Sequence, residues 1–489
     1  MPFLRRLPSA VLLSVFAVAS PLSAQSVDEG KESALNHARS LEELVAGMSM
    51  ELWDYAEIAL EESRSATYLS GILEDEGFSV ERGVAGMPTA FVASWGSGTP
   101  ILGVLAEYDA LPNIGNAARP ERTPRDDDHV HGHGCGHNLF GAASVAGAIA
   151  IKRMMEEHGT SGTVRLYGTP AEETVVGKVY MAREGVFDDL DAAIVWHPGQ
   201  ATGVSNSRAQ ALNNFEVTFR GQAAHGAADP WNGRSALDAV ELMNHGVNMM
   251  REHIEPSARI HYVIPNAGEA PNVVPEYARV WYYVRDTTRT AVEENYAWIL
   301  DIAQGAARMT RTEHESYLIT GVQTYTLIRP LQEAMQENLE RVGPPEFNAE
   351  DQRFARELQR FIGVEETGLN DTINALADVP LAAGGGSSDV ADVSFITPTV
   401  EFSVTTAAEH IPWHSWATSA SHGTTGAVRG AQVAARALAL MGAELILDGE
   451  LREAARAAHR EATGGRPYVS PLPDDQPPPI PSLTRGGGR

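Results

Sequence analysis

Short apolar runs alternate with a helical stretch between residues 100 and 195 of this 489-residue chain. Runs at 100–105, 163–167 and 192–195 are typical of buried strands, and apolar residues at helical spacing predict a helix over 139–157. Successive strands joined through a helix favour parallel pairing, with helices covering the sheet. The pattern therefore predicts an α/β fold with a mostly parallel sheet.

A different pattern interrupts this α/β region. Alternating apolar and polar residues predict strands over 215–220, 259–264 and 277–285, with helices over 235–253 and 289–309. After residue 324 the first pattern returns, with predicted helices at 331–342, 349–362 and 426–441 and a strand at 399–404. We expect an inserted α+β domain over 212–323, two helices on a four-stranded antiparallel sheet, which divides the larger domain into 25–211 and 324–462.

The two ends of the chain have compositions of their own. Residues 1–24 contain two arginines, an apolar run and small residues, which is typical of a secretory signal cleaved near Ala24. An uncleaved membrane anchor is the alternative, but the run is shorter than the ~20 residues that span a bilayer, and Pro21 interrupts it. We expect export to the periplasm or the cell exterior without a stable membrane anchor. Gly and Pro dominate 463–489, so this tail is expected to be disordered or draped over the surface.

Net charge and cysteine content exclude two classes of protein. The formal net charge is −27, which repels phosphate backbones and argues against a nucleic-acid partner. Cys135 is the only cysteine, so the chain forms no intramolecular disulfide.

The segment HVHGHGCGHN, residues 129–138, carries the strongest chemical signal. It contains Cys135 and four of the 16 histidines, among them His137. Thiolate and imidazole are ligands that zinc-like ions prefer, and the flanking glycines allow the backbone to turn tightly around an ion. We therefore interpret Cys135 and His137 as metal ligands, the alternative for Cys135 being simple packing. For His129, His131 and His133 a solvated loop is the favoured interpretation.

Further polar residues follow the predicted strands. Glu172 and Glu173 come after the strand at 163–167, His197 after the next, and His414 after the strand at 399–404 and a loop. Each residue alone has an ordinary structural explanation. Together they predict two hydrolytic metal ions, because the ends of parallel strands meet at one edge of a sheet. One carboxylate of the Glu pair would then bind metal while the other takes a proton from water.

Three residues of the insert stand in loops or at strand ends. His225, Asn272 and Arg285 could bind a substrate carboxylate or oxyanion, or could simply form loops. The residue pattern leaves these alternatives open.

Ten motifs in order along residues 35–445 resemble the amidohydrolase branch of the aminoacylase and glutamate-carboxypeptidase metallopeptidases. They are WDYAEIALEE, AEYDALP, GHGCGHN, GTPAEET, WHPG, FRGQAAHGAADP, PNVVPE, VRD, GGGSSDV and PWHSW. The resemblance implies a zinc-exopeptidase type of fold and two divalent ions per subunit, Zn²⁺ or Mn²⁺. It also implies five metal ligands, namely Cys135, His137, Glu173, His197 and His414.

The resemblance also implies roles for other residues. Glu172 would be the general base and Asp109 would orient the metal ligands, while Asn272 and Arg285 would hold the substrate carboxylate. The insert would be a lid and dimerisation domain, with His225 stabilising the oxyanion in the active site of a neighbouring subunit. A homodimer is expected, with a related partner subunit as the alternative. The segment 113–131 is longer and more charged than the corresponding link in this branch.

These observations favour a metal-dependent amidohydrolase acting on small N-acyl or N-aroyl amino acids or dipeptides. A metallocarboxypeptidase or dipeptidase acting on short peptides is the alternative among enzymes. A periplasmic metal-binding or metal-delivery protein is the alternative from another class. A serine hydrolase is excluded because the chain lacks a Gly-x-Ser-x-Gly sequence.

Overall fold

The computed structural model describes residues 21–126, 129–381 and 386–480. Most of the predicted signal sequence, 1–24, and the last nine residues of the tail therefore lie outside the described residues.

The larger sheet has seven strands, and most of them are parallel. They are β1 (Ser79–Arg82), β2 (Phe91–Ser97), β3 (Ile101–Ala106), β4 (Gly162–Gly168), β5 (Ala192–Gly199), β6 (Gly203–Val204) and β11 (Thr399–Thr405). Their order is β1-β2-β4-β3-β5-β11-β6. The four adjacent strands β4, β3, β5 and β11 are mutually parallel, so their carboxyl ends lie along one edge of the sheet.

Helices from both halves of the larger domain pack with this sheet. The first half contributes α1 (Pro21–Ser40), α2 (Glu42–Tyr55), α3 (Ser63–Asp75), α4 (His137–His158) and α5 (Gly177–Arg183). The second half contributes α8 (Arg329–Val342), α9 (Ala349–Ile362), α10 (Val390–Ile396), α11 (Trp416–His422), α12 (Thr425–Leu447) and α13 (Gly449–Thr463).

Helices α4 and α12 form the centre of the larger core and contact the sheet and one another. A Cβ atom on Gly147 of α4 would lie 2.8 Å from Leu438 of α12, so the missing side chain permits close packing. By length and composition α12 could cross a membrane, but 78% of its most apolar window is buried within the protein.

A four-stranded antiparallel sheet forms the insert. Its strands are β7 (Ala211–Arg220), β8 (Arg259–Asn266), β9 (Tyr277–Asp286) and β10 (Glu313–Val322), in the order β10-β7-β9-β8. Helices α6 (Ala236–Met250) and α7 (Arg289–Thr310) pack on the sheet and complete a separate apolar core. The predicted fold class is confirmed, because a mostly parallel seven-stranded sheet and a separate antiparallel sheet are both present.

The described part of the tail, residues 464–480, is draped over the larger domain, which is one of the two alternatives given for this segment. The side chain of Leu472 is buried in the larger core, and the Tyr468 hydroxyl donates a hydrogen bond to Asp392 Oδ1 at 2.8 Å. Arg183 donates to the backbone oxygens of Pro473 and Gln476. The Gly- and Pro-rich composition of the tail does not indicate which of its few other side chains pack against the larger domain.

Candidate metal centre

The carboxyl ends of four neighbouring strands position the candidate ligands. Glu107 directly follows β3, Glu173 lies in the turn after β4, and His197 lies near the end of β5. His414 is in the loop after β11. Because these strands are parallel neighbours, residues from distant parts of the chain meet at one edge of the sheet, where α/β proteins commonly form their sites.

Cys135 and His137 enter the same edge from the start of α4. His137 is the first residue of the helix, and Gly136 between the two ligands has a φ of +80°. A Cβ atom at this glycine would also lie 2.8 Å from the Pro198 side chain. The glycine therefore allows both side chains to point toward one centre without a clash.

Two groups of candidate ligands share Cys135. In the first group the ligand atoms of Cys135, His137 and His197 lie within 4.8 Å of one another, and in the second those of Cys135, Glu173 and His414 do so. Cys135 Sγ is 3.4 Å from His197 Nε2, and His414 Nε2 is 3.3 Å from Glu173 Oε2. These residues would hold two divalent ions, and Cys135 belongs to both candidate ligand groups.

Hydrogen bonds to the backbone and to Asp109 orient these ligands. His197 Nδ1 lies 2.7 Å from the Pro198 carbonyl oxygen, so it donates there and leaves Nε2 toward Cys135. The two oxygens of buried Asp109 accept from His137 Nδ1 at 2.9 Å and from the Glu173 backbone N–H at 3.0 Å. One carboxylate therefore fixes the positions of two ligands, as expected for a residue behind a metal centre.

The sequence analysis missed a buried charge cluster beside the base candidate Glu172. Lys178 Nζ lies 2.5 Å from Glu107 Oε1 and 2.7 Å from Asp389 Oδ1, and all three side chains are buried. Glu107 Oε2 is 3.0 Å from His137 Nε2, and the ligand atoms of Glu107, His137 and Glu172 form a third close group. Glu107 lies two residues before Asp109 at the same strand end, and this spacing could have identified it.

Orphaned polar atoms show that the site fits a cation. Glu173 Oε1 is buried and has no hydrogen-bond partner among the residues that the structure describes. Glu107 Oε2 and His137 Nε2 are also buried and lie 3.0 Å apart as an ion pair, but neither atom makes a hydrogen bond within the described part of the chain. Burying polar atoms without partners costs free energy. Sulfur, imidazole nitrogen and carboxylate oxygen are together the donor set that zinc-like ions take.

Burial shifts the proton affinities of the site. It raises the pKa of Glu173 to about 7 and lowers the pKa of His197 to about 4. Burial, reinforced by the charges of Glu107 and Asp389, also raises the pKa of Glu172 well above its ordinary value. A carboxyl group with a raised pKa is suited to accept and return a proton near neutral pH.

The remaining histidines of the 129–138 segment lie outside these ligand groups. His133 is buried with Nε2 3.0 Å from the Leu52 carbonyl oxygen, and burial lowers its pKa to about 3. His131 Nδ1 accepts from the Asn113 N–H at 3.4 Å. Within the long segment 113–131, Arg125 contacts the larger domain: its guanidinium lies over the Trp53 ring, 4.1 Å from the ring centroid.

A cleft of about 620 Å³ opens beside the ligands and extends to the insert. Cys135, Glu172 and Arg285 line this cleft, and the buried Nε atom of Arg285 has no hydrogen-bond partner in the described part of the chain. His225 and Asn272 do not line it. They lie together elsewhere on the insert, where His225 pairs with Val273 and its Nδ1 accepts from two backbone N–H groups.

Cysteine, histidine and carboxylate side chains grouped at the end of a parallel sheet define a metallohydrolase class of site. The sequence places the chain within that class more narrowly. Residues 103–473 match Peptidase family M20/M25/M40, and the chain belongs to this family. Together with its relatives, this match indicates a hydrolase that acts on amide bonds.

Two relatives and one solved structure support this assignment. One of the subunits of p-aminobenzoyl-glutamate hydrolase from Escherichia coli (strain K12) is 39% identical over 448 residues, which cover 86% of this chain and 93% of that protein. The Xaa-Arg dipeptidase of Mus musculus is 32% identical over 54% of this chain and 60% of its own length. A dinuclear metal-binding peptidase of the M20 family from Bacillus subtilis has the same fold, with a TM-score of 0.57, 18% identity and coverage of 83% and 99%.

Proposed function

We propose that this protein is a dinuclear metal-dependent amidohydrolase that cleaves the amide bond of N-acyl or N-aroyl amino acids resembling p-aminobenzoyl-glutamate. The observation that carries the proposal is the pair of ligand groups that share Cys135 beside Glu172. The 39% identity to one component of a p-aminobenzoyl-glutamate hydrolase supports the substrate class.

Five side chains are assigned to the metal ions, namely Cys135, His137, Glu173, His197 and His414. The expected ions are Zn²⁺ or Mn²⁺, which when bound lower the pKa of water and polarise a carbonyl group. Asp109 keeps His137 and Glu173 in place through its two hydrogen bonds.

Glu172 is proposed to move the proton. It lies in the cleft beside Glu173, and its raised pKa allows it to take a proton from the attacking water and deliver it to the leaving nitrogen. Arg285 is proposed to bind the substrate carboxylate, because its side chain lines the same cleft and forms no ion pair with any residue that the structure describes. Both roles use side chains of the same protomer.

The proposed oxyanion donor comes from a second copy of the chain. His225 is exposed on the insert and does not line the cleft of its own protomer. We therefore propose a homodimer in which the His225 side chain of each insert completes the cleft of the other protomer. A different but related partner chain is the alternative, since two E. coli relatives are both named as subunits of p-aminobenzoyl-glutamate hydrolase.

A dipeptidase is the second candidate function. The relationship to an Xaa-Arg dipeptidase favours it, and a cleft that binds a carboxylate would also accept the C-terminus of a dipeptide.

Turnover on a substrate panel tests these functions. Purified protein loaded with Zn²⁺ or Mn²⁺ would be assayed with N-acyl amino acids, N-aroyl amino acids and dipeptides, with Glu172→Gln as the matched inactive control. Hydrolysis of the aroyl amino acids above dipeptides supports the proposed function, and the reverse order supports a dipeptidase. Metal binding with no turnover on any substrate would instead favour a metal-delivery protein.

Export from the cytoplasm is a separate proposal. Cleavage after Ala24 would remove only the first four residues of α1, Pro21–Ser40, and would leave Gly30 and the buried part of the helix intact. Mass spectrometry of the mature N-terminus, together with cell fractionation, tests this proposal, and full-length protein in the cytoplasm would contradict it.

A further inference from the structure

Glu401 is a carboxylate in the cleft that the proposed reaction does not use. It lies in the middle of β11, and its side chain lines the same cavity as Cys135, Glu172 and Arg285. The residue is partly open to the cavity, and no hydrogen bond or ion pair joins its carboxylate to any residue that the structure describes. Its backbone oxygen accepts a hydrogen bond from the Ser205 N–H.

Apolar side chains form part of the wall of this cavity. Val195, the register partner of Glu401 on β5, lines the cavity together with Leu212, Tyr325 and Val390. Burial raises the pKa of Glu401 to about 7, and the charge of Glu107 adds to this effect. A carboxylate that is largely removed from water costs free energy unless a donor pairs with it.

Lys178, whose charge acts on Glu401, is already engaged with other carboxylates. Lys178 is held between Glu107 and Asp389 at 2.5 and 2.7 Å and forms no ion pair with Glu401. The protein therefore leaves Glu401 without a counterion although it supplies one to the neighbouring carboxylates. A ligand that enters the cavity can supply the missing donor.

The cleft consequently carries two groups of opposite charge that form no ion pair within the described part of the chain. Arg285 offers N–H donors for an anion, and Glu401 offers acceptor oxygens for a cation or an N–H donor. Buried charged groups of this kind discriminate strongly between a ligand that pairs with them and an analogue that does not.

We propose that Glu401 determines specificity by accepting hydrogen bonds from an amino, ammonium or guanidinium group of the substrate. The cleft then selects molecules that carry a nitrogen donor as well as the carboxylate bound by Arg285. This inference rests on the proposed function for the reaction. The donor has two possible sources, the aromatic amine of an aminobenzoyl group and the basic side chain of a dipeptide.

Matched substrate pairs test the inference and separate these sources. The first pair is N-(4-aminobenzoyl)-L-glutamate and N-benzoyl-L-glutamate, and the second is Ala-Arg and Ala-norleucine. In the wild-type enzyme we expect kcat/KM to favour the donor-bearing member of at least one pair by about 10-fold or more. In Glu401→Leu this ratio should fall to about one, and Glu401→Gln, which keeps a neutral acceptor, should give an intermediate ratio.

Ser403→Ala is the matched control on the same strand. Ser403 lies two residues from Glu401 and does not line the cavity, so the ratio should keep its wild-type value. Removing an unpartnered buried carboxylate should also leave the melting temperature unchanged or higher, whereas loss of a structural carboxylate would lower it.

Binding measurements give the same comparison without turnover. Calorimetry on the metal-loaded protein would compare 4-aminobenzoate with benzoate and L-arginine with L-norleucine. A preference that disappears in Glu401→Leu supports the inference even if no amide is hydrolysed. Equal preference in wild type and Glu401→Leu overturns it, while hydrolysis of both members of a pair would leave the proposed function standing.

Discussion

The Sγ atom of Cys135 lies 3.4 Å from Nε2 of His197, although 62 residues separate them in the chain. The contact joins the start of α4 to the end of β5, and it places the only thiol of the protein between two groups of candidate ligands. Its consequence can be measured directly, because any thiol reagent reports on Cys135 alone.

Metal loading should protect Cys135 from thiol reagents. Coordination engages the thiolate and shields it, so we expect slow labelling of the metal-loaded protein and faster labelling after chelation. The measurement is the rate of reaction with a chromogenic disulfide reagent in folded protein. Fast labelling of fully metallated protein would remove Cys135 from the ligand set.

Replacing Glu172 and Glu173 should have different effects. Glu172→Gln should retain both metal ions but lower kcat by a factor of about 10² or more, the usual scale for a general base. Glu173→Gln should lower metal occupancy, because Glu173 belongs to a ligand group and contacts His414. Elemental analysis and steady-state kinetics check both variants, and equal metal loss in the two would show that this division of roles is wrong.

Part of the pH dependence of the unfolding free energy of the metal-free protein should come from Glu62. This buried carboxyl accepts from the Ala171 N–H at 2.9 Å, and burial, with the charge of Asp109, raises its pKa from 4.5 to about 8. Between these two pH values the folded state binds more protons than the unfolded state. The stabilising contribution is therefore complete below pH 4.5 and is lost as the pH rises toward 8.

Denaturation of the chelated protein at pH 5, 6, 7 and 8 measures this contribution. The wild type should lose unfolding free energy across the series, and Glu62→Gln, which cannot titrate, should lose less. Parallel curves for the two proteins would exclude Glu62 as a source of the pH dependence.

The described tail should contribute to stability. Leu472→Ala should lower the free energy of unfolding by about 2–5 kcal/mol, because it opens a cavity in the larger core. Val469→Ala is the control, since Val469 is 71% exposed and its truncation should change stability by less than about 0.5 kcal/mol. Chemical denaturation checks both, and equal small effects would mean that the tail does not pack in solution.

Two inactive variants should restore activity to each other if His225 acts across a dimer. His225→Ala removes the donated residue and Glu172→Gln removes the base of the receiving cleft. Random mixing of protomers leaves about a quarter of all sites intact, because each mixed dimer has one cleft with both native residues. Each parent variant should have almost no activity on its own. For His225→Ala this follows because an oxyanion donor stabilises the transition state by about 2.7–4 kcal/mol.

The activity of the mixture after exchange of protomers is the measurement for His225. Activity no higher than the average of the two parents would show that His225 acts within its own protomer or only packs. A mixture of wild type with either parent is the control for this exchange.

The local pattern of the sequence determined the fold class and the neighbourhood of the candidate site. Apolar periodicity is a local property, so it predicted the parallel strands, the long helices and the inserted domain. It missed β10, Glu313–Val322, because the first half of that strand is polar and exposed. Cys135 and His137 were recognisable because two ligand types stand beside glycines in one short segment.

Tertiary structure decided which polar side chains meet and which remain without a partner. Lys178 and Asp389 are 211 residues apart, and only the packing of α5 against α10 brings them together with Glu107. Nothing in the local sequence distinguishes Glu401 from another acidic residue in a strand. Its side chain lines the cleft only because residues from distant segments of the chain come together around it. Periodicity along the chain shows which face of an element is buried, but contacts between distant elements are set by how the whole core packs.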